Sequence, residues 1–278
     1  MAERLREKIY ESINGVGAKD IGIAFSGGID SSLLTKVCKD IGKKIVLLTV
    51  SFSNQRDIKI ANQISTALDL SIFHRMISLK ELDHSLKIVL SIIEFDRIAH
   101  LENCVCFYHV FELASEYGLS TVLSANGVDE LFCGYDVYRR RFTTSQGAMM
   151  DLMSNLVKVA KKDKEAIDKL GFLFGIEYLC PFLSDSFVDF ATKIPIQLKI
   201  KSEEDDVRKH VLREVALKVG VPRSAAFRPK KAFQYSSGIH RAIRKLAKSK
   251  GFTRMKAKNE GYSSEIEAYT ENLKKEYK

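Results

Sequence analysis

The sequence predicts an α/β fold, a doubly wound parallel sheet followed by a helical C-terminal half. Two observations predict it. Short apolar runs alternate with amphipathic helical patterns up to Tyr135, and only helical patterns follow. We therefore divide the chain near residue 141, into a core of residues 1–141 and a helical part of residues 142–278. No linker composition separates the two, so we expect them to pack closely within one domain.

Each element follows from a local pattern. The stripe Leu5, Ile9 and Ile13 predicts a first helix, and the run Ile21–Phe25 has the apolar character of a strand buried on both faces. The predicted strands are Ile21–Phe25, Lys44–Val50, Leu70–Ile77 and Ser120–Ser124. The predicted helices are Ala2–Ile13, Ser31–Ile41, Ile58–Leu68, Leu79–Ile93, Cys104–Tyr117, Met149–Ala160, Lys164–Phe174, Ser186–Thr192, Val207–Val219 and Ile239–Lys248. The charged stretch Tyr262–Lys278 is either a last helix or a frayed tail.

The composition excludes several classes of protein. Hydrophobic residues make up 45% and charged residues 28%, as in ordinary globular proteins. The five cysteines lack disulfide-framework and zinc-site spacing, which favours free thiols, with a redox or sulfur-carrying role as the alternative. No apolar run reaches the roughly 18–20 residues that span a bilayer, and the N-terminus lacks a signal-peptide core. We therefore expect a cytoplasmic protein with no membrane partner.

The basic charge lies in the C-terminal part of the chain. Residues 201–278 contain 20 Lys and Arg against 10 Asp and Glu, whereas the first 200 residues contain 24 against 25. Such a basic region could attract RNA, or it could be a solvated surface that also helps to hold a polyanionic nucleotide. No aromatic-interleaved binding module accompanies the charge, so we favour the second interpretation.

The loop Phe25–Ser32, with sequence FSGGIDSS, is the first candidate binding element. It follows a predicted strand and opens a predicted helix, and its two glycines allow a sharp bend and a close approach to a ligand. Hydroxyl groups and the helix N-terminus together form an anion cradle suited to pyrophosphate. The cradle positions are Ser26, Gly27, Gly28, Ser31 and Ser32.

Asp30 does not suit an anion cradle, because its carboxylate repels phosphate. It suits a magnesium ligand, with the metal bridging carboxylate and phosphate oxygens. The loop differs from the Lys-containing P-loop and from the three-glycine dinucleotide motif. The alternative to a phosphate-binding loop is a purely structural role for this segment, as a serine-rich helix cap after a tight turn.

The heptad Ser26–Ser32 resembles the loop of the N-type ATP pyrophosphatases, which bind ATP and transfer AMP to an acceptor with release of pyrophosphate. A second segment, Leu123–Tyr135, resembles the asparagine synthetase motif S-G-x-G-A-D-E-L-F-G-G-Y. The resemblance makes Asp129 a second magnesium ligand and part of the catalytic group, and it makes Ser124 and Gly127 nucleotide-contacting positions. The structural alternative for Asp129 is a favourable placement in the first turn of a helix.

Three further segments resemble the same family. Ile176–Ala191 is similar to the L-E-x-R-x-P-F-L-D stretch, in which Glu177 is retained as a candidate acid/base or orienting group. Lys209–Ala216 and Arg228–Gly238 resemble K-x-x-L-R-E followed by R-x-K-x-x-F. Lys230 matches the lysine that the family directs at the α-phosphate, where a cation would neutralise developing charge. Val50 falls on the strand that contacts adenine in the family.

The sequence is therefore identified as a member of the asparagine synthetase family, as a synthase domain that uses ATP and Mg²⁺. Only about 20 residues precede the first strand, so we expect no glutaminase domain. Ammonia from solution or a separate glutaminase would then supply nitrogen, and a homodimer is kept open. Asn126 replaces an acidic residue usual in the family, and an amide cannot act as a general base.

Three functions stay open at this point. The first is an amide-forming ligase that adenylates a small-molecule carboxylate, most simply aspartate. The second is an adenylating RNA-modifying enzyme that uses the basic C-terminal region. The third is a non-catalytic nucleotide-binding homologue, against which the retention of Asp30, Asp129 and Lys230 argues.

Overall fold

The computed structural model describes residues 1–52, 56–142, 146–228 and 237–277. Five parallel strands form one sheet in the order β3-β2-β1-β4-β5, which confirms the predicted fold class. The strands are β1 (Asp20–Ala24), β2 (Lys44–Ser51), β3 (Ile72–Met76), β4 (Thr121–Leu123) and β5 (Glu177–Leu179).

Helices surround this sheet along most of the described chain. The first eight are α1 (Ala2–Asn14), α2 (Ile29–Asp40), α3 (Arg56–Ala67), α4 (Leu79–Ile92), α5 (Ile98–Glu116), α6 (Val128–Leu131), α7 (Asp136–Arg140) and α8 (Gln146–Phe172). They are followed by α9 (Asp185–Thr192), α10 (His210–Lys218), α11 (Arg223–Ala226), α12 (Ile239–Ser249), α13 (Arg254–Asn259) and α14 (Glu265–Tyr277). Two short 3-10 turns lie at Pro181–Leu183 and Ile196–Leu198.

Each face of the sheet carries its own hydrophobic core, because side chains alternate along a strand. Leu48 and Val122 belong to the cluster formed with α4, α5, α8, α12 and α14. Their neighbours Leu47 and Leu123 belong to the cluster formed with α1, α2, α9 and α10. The apolar strand runs of the sequence thus reflect burial on both faces.

The strand order reverses direction between β1 and β4, which are adjacent in the centre of the sheet. Loops that leave the carboxyl ends of two such strands diverge to opposite sides and open a crevice, where ligands of this fold class bind. The loop Phe25–Gly28 leaves β1 at this point, and the loop Ser124–Gly127 leaves β4. The topology therefore brings the first two sequence motifs together.

Some local predictions differ from the structure. The strand β5 was not predicted, and it comes from beyond the proposed division at residue 141, so the helical part completes the sheet of the core. The two helices predicted within Met149–Phe174 are one helix, α8, because no Gly or Pro lies between Ala160 and Lys164, where the predicted helices meet. Helix α10 begins at His210 rather than at Val207. The division into two parts itself remains a prediction.

Candidate functional site

The loop after β1 is closed by its own serine hydroxyls. The Gly28 amide donates to Ser26 Oγ at 3.3 Å, and the Ser26 amide donates to Ser31 Oγ at 3.3 Å. Gly27 has φ +66, and a Cβ there would lie 3.0 Å from the Ala61 Cα in α3. Its glycine is therefore required by both backbone conformation and space. The loop carries the chain into the first turn of α2, at the edge of the crevice.

Asp30 and Asp129 meet at the crevice although 99 positions separate them in the sequence. Both contact the ammonium of Lys209, whose Nζ lies 2.7 and 2.6 Å from the two Asp30 oxygens and 2.7 Å from Asp129 Oδ1. Lys209 is 2% exposed, whereas the carboxylates are about one-fifth to one-quarter exposed. Burial alone would lower the pKa of Lys209, but the carboxylates of Asp129 and Asp30 outweigh it and raise that pKa.

A strained turn places Lys209 in this position. Arg208 and Lys209 have φ values of +50 and +54, in the left-handed region that non-glycine residues avoid. Asp205 Oδ1 accepts from the Arg208 amide at 3.0 Å, and the buried Arg213 donates to the carbonyls of Val207 and Arg208 at 2.5 and 2.7 Å. These hydrogen bonds hold the turn, which explains why helix α10 starts after Lys209.

Gly134 leaves the space that this charged cluster occupies. A Cβ at Gly134 would lie 1.9 Å from Asp129 Oδ1 and 2.6 Å from Lys209 Cε. Its amide also donates to the Asp129 carbonyl at 2.8 Å. Only glycine therefore fits between the backbone and the carboxylate–lysine contact.

The loop after β4 is held from below by Tyr178 of β5. The Tyr178 hydroxyl lies 2.6 Å from Ser124 Oγ and accepts from Asn126 Nδ2 at 3.0 Å. Gly127 has φ +100, and a Cβ there would lie 2.7 Å from Leu183 Cδ2. Asn126 thus helps to fix the loop.

The crevice encloses a cavity of about 390 Å³ with two walls. The first wall consists of the loops after β1 and β4 together with Lys209 and Arg228, whose Nη1 donates to the Ser26 carbonyl at 2.7 Å. The second wall comes mainly from α5 and α8 and includes the ion pair Arg97–Asp163, with Nη2 and Oδ1 2.5 Å apart. The remaining residues of this wall are mostly apolar: Ala99, Phe107, Val137, Leu156 and Val159.

The structure brings most of the predicted site residues to this cavity. Those that line it are Ser26, Gly28, Asp30, Ser31, Ser124, Gly127 and Asp129. Gly27 and Ser32 do not line it, because Gly27 packs against α3 and the Ser32 side chain is fully buried. Val50 also turns its side chain into a hydrophobic core. Lys230 lies outside the described residues.

Glu177 is not part of the cavity. It begins β5 opposite Thr121, at the amino end of the strand, and its side chain is exposed. The cavity lies at the carboxyl ends of the strands, beyond Ser124. We therefore do not retain Glu177 as an acid/base candidate.

The sequence interpretation missed six charged residues of the cavity: Arg97, Glu130, Asp163, Lys209, Arg213 and Arg228. Lys209, Arg213 and Arg228 lie within the segments that carry the family resemblance, but the sequence interpretation assigns no role to any of them. Arg97 precedes the predicted start of its helix, because α5 begins six residues before Cys104. Lys209 could have been found from the sequence, because it is the first residue of the segment that matches the K-x-x-L-R-E motif. No sequence motif pointed to Arg97.

The donor set fits Mg²⁺ bound together with a phosphate ligand. The carboxylate oxygens of Asp30 and Asp129 face the same position, which Lys209 Nζ occupies in this structure. No cluster of three or more His, Cys, Asp or Glu side chains suited to a metal occurs among the described residues. Magnesium bound by one or two carboxylates plus substrate phosphates has this composition.

Two other predictions can be compared with the structure. All five cysteines are free and buried, and burial raises the pKa of Cys38 and Cys133 to about 12 and that of Cys180 to about 11. A nucleophilic or redox role needs an accessible thiolate, so none of these three is suited to it. Within the described parts of the chain, no helix combines the length and apolar character needed to cross a membrane.

Fold and cavity together define an α/β protein with a charged cavity at the switch point of its sheet. The family model for asparagine synthase matches residues 4–165 and 147–266 of the sequence. The chain therefore belongs to the asparagine synthase family, whose members are ATP-using ligases.

Individual relatives agree with this assignment. The protein named "Putative asparagine synthetase (glutamine-hydrolyzing) 1" of Methanocaldococcus jannaschii is 31% identical over 90% of this chain and 51% of its own length. Asparagine synthetase B (glutamine-hydrolyzing) of Escherichia coli strain K12 is 25% identical over 84% of this chain and 44% of its own. The chain thus spans about half the length of these relatives or less.

One solved structure, described as a predicted subunit of tRNA methyltransferase from Methanocaldococcus jannaschii, covers 77% of this chain and is itself covered to 94%. Its TM-score is 0.37 at 16% identity, so the likeness carries no argument about function.

Proposed function

We propose that the protein is an ATP-dependent ligase that adenylates a small-molecule carboxylate, aspartate or a related acid, and releases pyrophosphate. Ammonia from solution or from a separate glutaminase then displaces AMP and forms an amide. One observation carries the proposal. Two carboxylates from the first turns of α2 and α6 converge within 2.7 Å of one buried cation, beside a serine- and glycine-rich loop at a helix N-terminus.

The first wall of the cavity would hold the triphosphate. Ser26, Ser31 and the N-terminus of α2 supply donors to phosphate oxygens. Asp30 and Asp129 would hold Mg²⁺, which neutralises phosphate charge when bound. Lys209 and Arg228 add positive charge on the same wall. These groups suit the binding of ATP with the departing pyrophosphate in the loop.

The second wall would hold the acceptor acid. Arg97 can pair with a carboxylate, and Asp163 can pair with an ammonium group, so opening their ion pair would accommodate an amino acid. The apolar side chains around them would exclude water from the transfer of AMP from ATP to the acid. Asn126 offers no general base, so we propose that ammonia itself, or its donor, supplies the nucleophile without proton removal by this residue.

A second function, adenylation of an RNA, is favoured by a different observation. Residues 239–259 contain eight Lys and Arg and no Asp or Glu. All eight are exposed, whereas the apolar face of α12 is buried against the protein. RNA as substrate would require tight tRNA binding with a steep salt dependence. Weak binding at physiological salt would leave the basic surface as a solvated face.

The decisive experiment measures pyrophosphate release from ATP and Mg²⁺ with aspartate and ammonia, with other carboxylates, or with tRNA. Asp30→Ala should abolish release, because it removes one of the two carboxylates. Asp40→Ala is the matched control, since Asp40 ends the same helix and contacts Lys36 at the surface. Circular dichroism checks that both variants are folded. If Asp30→Ala retains wild-type release, the metal assignment is wrong.

A further inference from the structure

Lys209 occupies the position that a metal ion between Asp30 and Asp129 would require. Its ammonium contacts three carboxylate oxygens at 2.6–2.7 Å. Mg²⁺ binds such oxygens at about 2.0–2.1 Å, so a metal ion and the ammonium cannot share this position. The side chain must move before the two carboxylates can hold a metal together.

The surroundings limit where Lys209 can go. Its backbone is fixed in the left-handed turn by Asp205 and Arg213, so only the end of the side chain is free to move. Arg213 and Arg228 line the same cavity and repel a displaced ammonium. Leaving a buried ammonium without a carboxylate partner is strongly unfavourable.

A triphosphate removes this obstacle. Its oxygens would give the displaced ammonium new anionic partners on the same wall of the cavity, while the metal ion takes over the two carboxylates. A divalent cation alone brings no such partner. Nucleotide binding should therefore raise the affinity for the metal ion, and metal binding should raise the affinity for the nucleotide. The cause is the balance of positive and negative charges in the cavity.

We propose that Lys209 is a positioning residue that keeps divalent cations off Asp30 and Asp129 until the triphosphate of ATP is present. The inference rests on the proposed function for the identity of the nucleotide. It concerns the order of binding, so it can be tested without turnover.

The test is Mn²⁺ binding, followed by electron paramagnetic resonance, with and without the non-hydrolysable analogue α,β-methylene-ATP. Wild-type protein should bind Mn²⁺ at least tenfold more weakly without the nucleotide. Lys209→Met should bind Mn²⁺ alone at least tenfold more tightly than wild type does. Lys199→Met is the matched control, because Lys199 is also fully buried but contacts the Ala191 carbonyl rather than a carboxylate. It should bind Mn²⁺ as wild type does.

Adding Asp30→Asn to Lys209→Met should remove the gained affinity, which locates it at this pair. Lys209→Met that binds Mn²⁺ no better than wild type overturns the proposal. Should that variant not fold, the wild-type measurement decides: binding of Mn²⁺ equally tight with and without nucleotide overturns it, and nucleotide-dependent binding supports it. Absence of pyrophosphate release with every acceptor would instead count against the proposed function and leave these metal affinities valid.

Discussion

Gly134→Ala tests the geometry of the charged cluster most directly. The added Cβ would lie 1.9 Å from Asp129 Oδ1 and 2.6 Å from Lys209 Cε, far inside contact distance. The carboxylate oxygen must move by about 1 Å or more, which breaks its 2.7 Å contact with Lys209 Nζ. Overpacking costs about 1–3 kcal/mol, and weakening a charged hydrogen bond adds roughly 1.5–3 kcal/mol. We expect a loss of about 3–5 kcal/mol in the free energy of unfolding.

Urea unfolding at neutral pH measures this loss, and pyrophosphate release should fall with it. Gly17→Ala is the control, because a Cβ there meets nothing within 4 Å. It should change stability by less than about 0.5 kcal/mol. The alanine at position 134 should also cost less in an Asp129→Ala background, where the clashing oxygen is gone. A Gly134→Ala protein as stable as the Gly17→Ala protein would refute the packing described here.

Three further predictions concern the cavity and its supports. Arg97→Ala should raise the KM for the acceptor at least tenfold and leave calorimetric binding of an ATP analogue unchanged; an equal loss of nucleotide binding would contradict an acceptor role for the second wall. Tyr178→Phe should cost about 1–3 kcal/mol in urea unfolding, because Ser124 and Asn126 lose a buried partner, and a neutral result would contradict that support. Burial opposes ionisation of Asp205, but hydrogen bonds from Arg208, Lys201 and His210 outweigh it and lower its pKa to about 2. Its contribution, on the order of 2 kcal/mol, is therefore present above about pH 4 and lost as pH falls toward 2, so the stability difference from Asp205→Asn should shrink over that range in acid titration.

The fold followed closely from the sequence because its central strands are buried on both faces. The predicted strand Lys44–Val50 contains the continuous apolar run Ile45–Leu48, and the observed β2 begins at Lys44 as predicted. β5 gave no such signal, since a strand of only three residues, Glu177–Leu179, shows neither a run nor an alternation. Its place at the edge of the sheet depends on pairing with β4, a tertiary contact that local pattern does not encode.

The candidate site was predictable where the chain carries a contiguous motif. Asp30 and Asp129 lie after the two central strands, so sheet topology alone brings them to one crevice. The sequence did not predict Lys209 as a site residue because the helical pattern continues through it. In the structure its backbone is left-handed, in a turn held by Arg213 and Asp205. The sequence did not predict Arg97 as a site residue because its neighbours on the second wall are brought together only by the packing of α5 against α8.

The two walls of the cavity have different architectural origins, and this separates two kinds of change. Substitutions on α5 and α8 that face the cavity reshape one wall while the loops at the carboxyl ends of β1 and β4 stay as they are. Under the proposed function, substitutions of this kind would change which acid is accepted and leave the phosphate-binding loops unchanged. Variant libraries that substitute only Arg97, Phe107, Leu156 and Val159 would change the second wall and leave the strands and their loops unchanged.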